Sequence, residues 1–542
     1  NPVNIFAQLT QLPQILTFEE AAAILLKNSY SMNDMEQDLR QKHFNNLGAL
    51  ARLKSRVDME MTAPELKDER EEDFNQETQL FDVFQKQSIQ YDTKISLTQP
   101  LASNGKISGN FNLERFNQSG RGTNYTTSMY MRLDQPLFKP NDLQRSIYKT
   151  ELGLERTKLD YISSRISIIY GQTFSRRSGF STDELFVSGS QRRSGGDLGA
   201  LMRAMGGGGG GGGDRGGGGG GFGRRGSLSQ EYYTLYENEK ILDYCNFFLN
   251  LWEEQLQVSR DMLDAGELSE RQFLQIQVEH ANSKDRVTAA VTRRDRSKRA
   301  LIQFLSLDPD SEFDVIDKLE YDPIEISLEK AVEEGLKNNT GILRFQISII
   351  NDSMDIDDEI TKGKLTGDLS GTFGLNNSDD VIRMYYDDFD QTKTFSLGLK
   401  KPVWDWGRNQ MSIESKKIKL ETAKRQLQND IIDTERQILG HVHNINTIEK
   451  KVDLINRAMV LAEKGMNIGI QQFRAGELSA EDLILGVNKY FQTRVEYLQL
   501  VIDYKTALIS LSNQTQWDFE NNKSLKDEVV VLIDNILKSN RL

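Results

Sequence analysis

His441 and His443 are the first residues to test for chemistry, because imidazole pairs bind transition metals. Both lie in a segment whose periodicity predicts a helix. A spacing of two puts them on different faces, whereas chelation from one helix needs three or four. The run "MGGGGGGGGDRGGGGGGFGRRG" at 205–226 is rich enough in glycine to suggest a phosphate cradle. It lacks the Gly-Lys-Ser/Thr ending of a phosphate loop and is not framed by a strand and a helix. No Ser/His/Asp or paired-carboxylate spacing stands above the background of charged helix faces. The single cysteine, Cys245, excludes an internal disulfide framework and a Cys-based zinc site. No catalytic, cofactor-binding or metal-binding residues are therefore assigned, and an enzyme is not expected.

Composition points to a thin core. The 542 residues are 37% hydrophobic, 27% charged and 8% aromatic, leaner in apolar residues than an ordinary globular chain. A net charge of −13 argues against a nucleic-acid partner, since phosphate contacts need clustered Lys and Arg. The longest apolar run is "AAAILL" at 21–26, far short of a membrane-spanning helix. A β-barrel remains open, because its short alternating strands escape hydropathy scans. Residue 1 is Asn, so the numbering is expected to begin after a removed secretory signal.

The positioning elements occur twice. "AGELS" at 265–269 returns at 475–479, and "LTFEEAAAILLKNS" at 16–29 is echoed by "ISLEKAVEEGLKNN" at 326–339. Thr17 and Glu20 have capping-box spacing, which Ser327 and Lys330 break. Alternating strands follow. Leu365, Leu369, Phe373 and Leu375 share one face, as do Phe395, Leu397 and Leu399, before Pro402, Trp404 and Trp406. In the first half Met129, Met131 and Leu133 oppose Tyr130, Arg132 and Asp134 before Pro136 and Phe138.

A long helix then begins in each half. Ile413, Leu420 and Leu427, and after a four-residue shift through Ile431, Ile438, Ile445, Val452 and Met459 recur every seven, with Val442, Ile448 and Ile455 filling much of the second seam. At about 1.5 Å per residue, 408 to about 471 spans on the order of 95 Å. Each AGELS reads as a helical-hairpin tip, a Gly C-cap followed by a Ser N-cap. By itself that local pattern is open to any helical hairpin.

Together, "LTFEEAAAILLKNS", "MRLDQPLF", "LDAGELSERQFLQIQVEHANS", "FSLGLKKPVWDWG" and "FRAGELSAEDLILGVNKYFQTRVEYL" give an order that resembles the TolC family of outer-membrane channel-tunnel proteins over roughly residues 15–514. The resemblance implies a mainly α fold with a β-barrel portion. Duplicated coiled-coil hairpins would carry strands of a 12-stranded barrel built by a homotrimer, four strands per protomer. The first repeat would be 1–323, the second 324–514, and 515–542 a tail on the equatorial belt.

It further implies a passive export duct for efflux or type I secretion in the outer membrane of a Gram-negative bacterium. The helical body would stand in the periplasm, and the partners would be a periplasmic adaptor, an inner-membrane pump and outer-membrane lipid. Adaptor docking is carried over onto Ala265, Gly266, Glu267 and Leu268 and onto Ala475, Gly476, Glu477 and Leu478, with an exposed Leu seating between adaptor helices. The family's best-known member has two pore aspartates three apart after the second tip. Here Asp482 takes the first position and Leu485 the second, so three copies of Asp482 with Glu481 nearby give a single acidic constriction. The alternative is a pair of solvated acids complementing a helix N-terminus. Met129, Met131, Leu133, Phe395, Leu397 and Leu399 are expected to face lipid, with Phe138, Trp404 and Trp406 at the membrane boundary.

Two departures stand out. The first half is longer, and the excess falls at about 175–230, a stretch with eight Arg (176, 177, 192, 193, 203, 215, 224, 225) against four acids. It reads either as a tolerated flexible loop or as a basic surface for peptidoglycan, an adaptor or another acidic partner. The first half also has extra strand candidates. "RVDMEMT" at 56–62, "KISLTQPL" at 94–101 and "KISGNFNLERF" at 106–116 surround an Asn104-Gly105 turn. Two strands are expected in the barrel and the others in an extracellular or rim hairpin. The competing reading of the whole chain is a coiled-coil scaffold or cell-surface protein whose apolar strand faces are buried under protein.

Overall fold

The computed structural model describes residues 15–75, 80–118, 122–171, 226–315, 319, 321–380 and 389–538. The Gly/Arg-rich stretch, including all eight of its arginines, lies outside the described residues. The elements in chain order are β1 (Ile15–Leu16), α1 (Phe18–Asn28), α2 (Tyr30–Ala51), β2 (Arg56–Asn75), β3 (Leu80–Pro100), β4 (Lys106–Gln118), β5 (Gly122–Leu137) and α3 (Asp142–Tyr170). Then come α4 (Leu228–Asp264), α5 (Glu270–Phe304), β6 (Asp314–Val315), α6 (Leu328–Asn338), α7 (Thr340–Lys362), β7 (Thr366–Asp379) and β8 (Asp390–Lys400). The chain closes with α8 (Arg408–Arg474), α9 (Ala480–Thr515), β9 (Trp517–Asp518), β10 (Lys523–Ser524) and α10 (Leu525–Lys538). The mainly helical character with a β portion is as the sequence predicts.

Two compact units divide the chain, and each draws on both sequence halves. One takes Asn1–Met35, Tyr161–Thr340 and Ile431–Asp534. The other takes Glu36–Asp160, Gly341–Asp430 and Asn535–Leu542.

The first unit is built on helical hairpins. α4 and α5 pack against α9, and Trp252 and Ile276, Phe491 of α9, Phe473 of α8, and Tyr232, which packs on Phe18 of α1, are fully buried in this unit's core. Truncating an aromatic of this kind to Ala costs about 3–5 kcal/mol. Ile438, Ile445 and Val452 of the heptad are buried on α8, and the buried Thr434 carries the seam through the four-residue shift. The two short opening helices keep the caps their sequences promise. Thr17 and Glu20 form a complete capping box, while Ser327 only accepts from the backbone N–H of Lys330. α6 lies close to α8, since a Cβ on Gly335 would fall 2.3 Å from the Ile438 Cδ1.

The second unit contains a six-stranded antiparallel sheet ordered β2-β3-β4-β5-β7-β8. This corrects the expectation of a separate extracellular or rim hairpin. The extra candidates instead join the main ladder, with β3 paired to β4 from Ser88↔Gln118 through Pro100↔Lys106. The reason is physical: the alternation of β4 leaves an edge that β3 matches in both register and side-chain parity. Beside the sheet, α3, α7 and α8 are tied by ion pairs. Arg145 meets Asp358, Lys149 meets Asp355 at 2.9 Å, and Lys416 meets Glu359 at 3.2 Å. Hydrogen bonds from Lys362 and then Lys416 hold the Glu359 carboxyl down at about 2.

Candidate functional site

The two AGELS segments build the same turn twice. At the end of α4, Gly266 has φ +77° and its N–H donates to the Leu263 carbonyl, while the Glu267 N–H donates to the Met262 carbonyl at 2.9 Å. At the end of α8, Gly476 has φ +75°, its N–H donates to the Phe473 carbonyl, and the Glu477 N–H donates to the Gln472 carbonyl at 2.9 Å. This paired pattern is the Schellman motif, and only glycine takes its left-handed position without a Cβ clash. Ser269 and Ser479 then cap the outgoing helices.

The motif folds its following leucine inward. Leu268 is buried, with its N–H on the Met262 carbonyl, and a Cβ on Gly469 would lie 3.5 Å from the half-buried Leu478. The expectation that these leucines stand exposed is therefore corrected. What the tips present is Ala265, Gly266 and Glu267 on one side and Ala475, Gly476 and Glu477 on the other, all exposed. A groove of about 760 Å³ beside them is lined by Glu270, Arg271, Leu274, Gln275, Val278, Glu279 and Ile484.

Chemically the turns differ in the outgoing helix. Ser269 is answered by the neutral Gln272 in a capping box. Ser479 is answered by Asp482, whose Oδ2 accepts from the Ser479 hydroxyl at 2.6 Å. Asp482 and Glu481 are both exposed, and Leu485, one helical turn beyond Asp482, is 70% exposed. The helical N-terminus favours these acids whatever else they do.

The sheet sorts its residues by face, because directly opposed residues point to the same side. One row runs Met59↔Ile95↔Phe111↔Met129↔Leu375, and another Val57↔Leu97↔Gly109↔Met131↔Phe373. Leu133, Phe395, Leu397 and Leu399 share this face, and Met129, Met131, Leu133, Phe395, Leu397 and Leu399 are all exposed in the protomer. The opposite face is polar. Ser96 donates to Asn110 at 2.9 Å, Arg132 pairs with Asp134 at 2.8 Å, and Ser370 meets Ser396 at 3.4 Å.

A row not singled out in the sequence ends the apolar band: Arg115 lies over both Tyr91 and Tyr125, 5.6 and 5.9 Å from their ring centres. Carrying the alternation of Ile95 and Met129 back by four residues would have found both tyrosines. From Tyr125 to Leu133 the strand covers about 27 Å at about 3.4 Å per residue, or about 20 Å upright at a tilt near 40°. At the helical end Phe138, Trp404 and Trp406 are exposed, with the two indoles edge to face at 5.5 Å. Phe138 and Trp406 both sit at positive φ, 61° and 58°, which costs a bulky residue energy and aims its ring outward.

Other candidate groups do not assemble. His441 is half-buried and burial lowers its pKa, while His443 is exposed. No cluster of His, Cys, Asp or Glu suited to a metal occurs among the described residues. Burial pushes the Cys245 thiol up to about 11, which suits packing rather than reactivity. No described helix is long and apolar enough to cross a membrane.

The backbone as a whole is similar to solved outer-membrane channels. A membrane protein from Pseudomonas aeruginosa matches over 92% of this chain and 90% of its own, with TM-score 0.59 and 11% identity. The Campylobacter jejuni CmeC outer membrane channel matches over 99% and 96%, with TM-score 0.58 and 11% identity. The open state of the Neisseria gonorrhoeae MtrE outer membrane channel matches over 92% and 88%, with TM-score 0.56 and 9% identity. No protein-family model matches the sequence, and no curated protein matches it.

Proposed function

We propose that this chain, which has the fold of the TolC-type outer-membrane channels, is a non-catalytic export duct for efflux or type I secretion. It works as a homotrimer in the outer membrane of a Gram-negative bacterium. Its strands lie in outer-membrane lipid and its helical body in the periplasm, with residues 515–542 on the equatorial belt. It conducts substrate passively after docking to a periplasmic adaptor and an inner-membrane pump.

The observation that carries this reading is the two-faced sheet. One face is a band of Met, Leu, Ile, Val and Phe, most of them exposed, and the other is hydroxyl, amide and charge. Apolar side chains of this size contribute about 1.5–3 kcal/mol each when removed from water, so lipid is the environment that suits the band. A polar opposite face suits a water-filled lumen. The scaffold reading requires protein over the same band.

A second observation supports self-association. On α8, Ile432, Leu439, Leu454, Leu461 and Ile468 are exposed, in runs spaced by seven. These lie apart from the buried seam and form an apolar stripe for a neighbouring copy. At the tips, Ala265, Gly266, Glu267, Ala475, Gly476 and Glu477 with the adjoining groove receive the adaptor, while Leu268 and Leu478 hold the turns in shape from within. Three copies of Asp482, flanked by Glu481, form the acidic constriction.

The test is extraction of the membrane fraction with detergent, size determination, and reconstitution in planar bilayers. A detergent-requiring trimer that forms discrete ion-conducting pores is expected. A freely soluble monomer or dimer without conductance would favour the scaffold.

A further inference from the structure

We propose that the two outer edges of the sheet pair with neighbouring copies of this chain, β2 of one against β8 of the next, so that three copies close a barrel of eighteen strands rather than twelve. This rests on the trimeric-channel reading and adds to it the width of the duct in the membrane.

A protomer giving four strands would have to present β4 as its edge, but β3 fills that edge through an unbroken ladder from Ser88↔Gln118 to Pro100↔Lys106. Among the described residues, β2 pairs only with β3 and β8 only with β7, so the backbone groups without strand partners lie at these two ends. Open edges cannot persist in lipid, where each unpaired N–H or C=O costs several kcal/mol.

Val57, Met59 and Met61 on β2 and Ile95 and Leu97 on β3 continue the apolar face of β4, β5, β7 and β8, and all five are exposed. Their alternates Asp58, Glu60, Lys94 and Ser96 continue the polar face. A hairpin standing in water above the rim gains nothing from this sorting. A hairpin inside the barrel wall requires it.

The β3–β4 turn sits against the start of α3, not out beyond the sheet. Asn104 Nδ2 donates to the Pro140 carbonyl at 3.2 Å, Asn141 Nδ2 donates to the Ala102 carbonyl at 2.8 Å, and the Ser103 hydroxyl donates to Gln135 Oε1 at 2.7 Å. A Cβ on Gly105 would lie 2.9 Å from the Asp134 carbonyl oxygen, so the turn is seated on the backbone of β5. The added pair of strands therefore crosses the whole apolar band.

Closure is consistent with strand direction. Six alternating strands leave β2 and β8 antiparallel to each other, so a head-to-tail contact repeated three times closes with antiparallel pairing throughout. With strands about 4.8 Å apart and tilted about 40°, twelve strands enclose a wall about 24 Å across and eighteen about 36 Å. The lumen cross-section roughly doubles.

Inter-protomer cysteine cross-linking tests this in a Cys245→Ser background, with Met59→Cys combined in turn with Phe395→Cys, Leu397→Cys or Leu399→Cys. Mild oxidation of the detergent-extracted trimer is expected to give covalent dimers and trimers from at least one pair, and none from the single variants. A trimer that cross-links instead through Phe111→Cys with Leu397→Cys, or through none of the β2 pairs, overturns the eighteen-stranded wall while leaving the channel reading intact. A monomer in detergent overturns both. If the variants fail to assemble, electron-microscopic averages of the unmodified trimer along its threefold axis decide: a ring about 36 Å across is expected, and one about 24 Å overturns the proposal.

Discussion

The two helical turns share a backbone and differ in everything the outgoing helix does with charge. Gly266 and Gly476 carry matching φ values and matching hydrogen bonds. Beyond them the first helix starts Glu270-Arg271-Gln272 and the second Ala480-Glu481-Asp482. Deeper in, the first hairpin buries an ion pair, Arg286 with Glu279 at 3.1 Å, where the equivalent positions of the second carry the exposed Glu496 and Lys489. Duplication kept the turn and inverted the electrostatics, so the two hairpins hold the same geometry by different means.

Breaking the buried pair should show the largest contrast. Arg286→Ala leaves Glu279 buried without its guanidinium and is expected to cost about 3–5 kcal/mol, whereas Glu496→Ala on the exposed side should change stability by about 0.5 kcal/mol or less. Denaturant unfolding of the detergent-extracted protein measures both. The shared turn should behave alike on both sides. Gly266→Val and Gly476→Val each force a branched residue to positive φ with no neighbour within 4 Å, so each should cost about 1–2 kcal/mol, and unequal costs would show that one turn is held by contacts the other lacks.

If Asp482 forms the proposed constriction, charge should also separate the turns in conduction. Asp482→Asn should weaken block of the reconstituted pore by multivalent cations about tenfold, near 1.4 kcal/mol, while Gln272→Asn leaves it unchanged. Equal sensitivity at both turns would remove the assignment of the constriction to the second. The smallest effect is expected at Arg474, which reaches from α8 to Glu254 of the first hairpin at 2.6 Å. Arg474→Ala should cost about 0.2–1 kcal/mol, and less in high salt, since both side chains are solvent-accessible.

Legibility in the sequence followed periodicity. The heptad of α8 and the period of two in β5, β7 and β8 each name a face, and a face survives whatever covers it. Partnership is less visible. "RVDMEMT" has the alternation of a wall strand and Asn104-Gly105 signals the β3–β4 hairpin, but four strands per protomer came from the family resemblance, which left this hairpin outside the wall. Leu268 shows a second kind of loss. Its neighbours are polar and it follows a turn, so it reads as exposed, and only the two hydrogen bonds of the Schellman geometry bring it back over Met262. The Tyr91, Arg115 and Tyr125 row was lost because two of its members lie beyond the strand segments that alternate most cleanly.

A Cβ added to Gly171, at the end of α3, would lie 2.3 Å from the Cβ of Ser227, the residue that caps α4. The ends of α3 and α4 that flank residues 172–225 thus stand side by side. For protein engineering this is a ready-made grafting port. A fluorescent or affinity domain whose own termini lie close together suits an insertion between Gly171 and Ser227, because the two ends that would receive it already stand side by side.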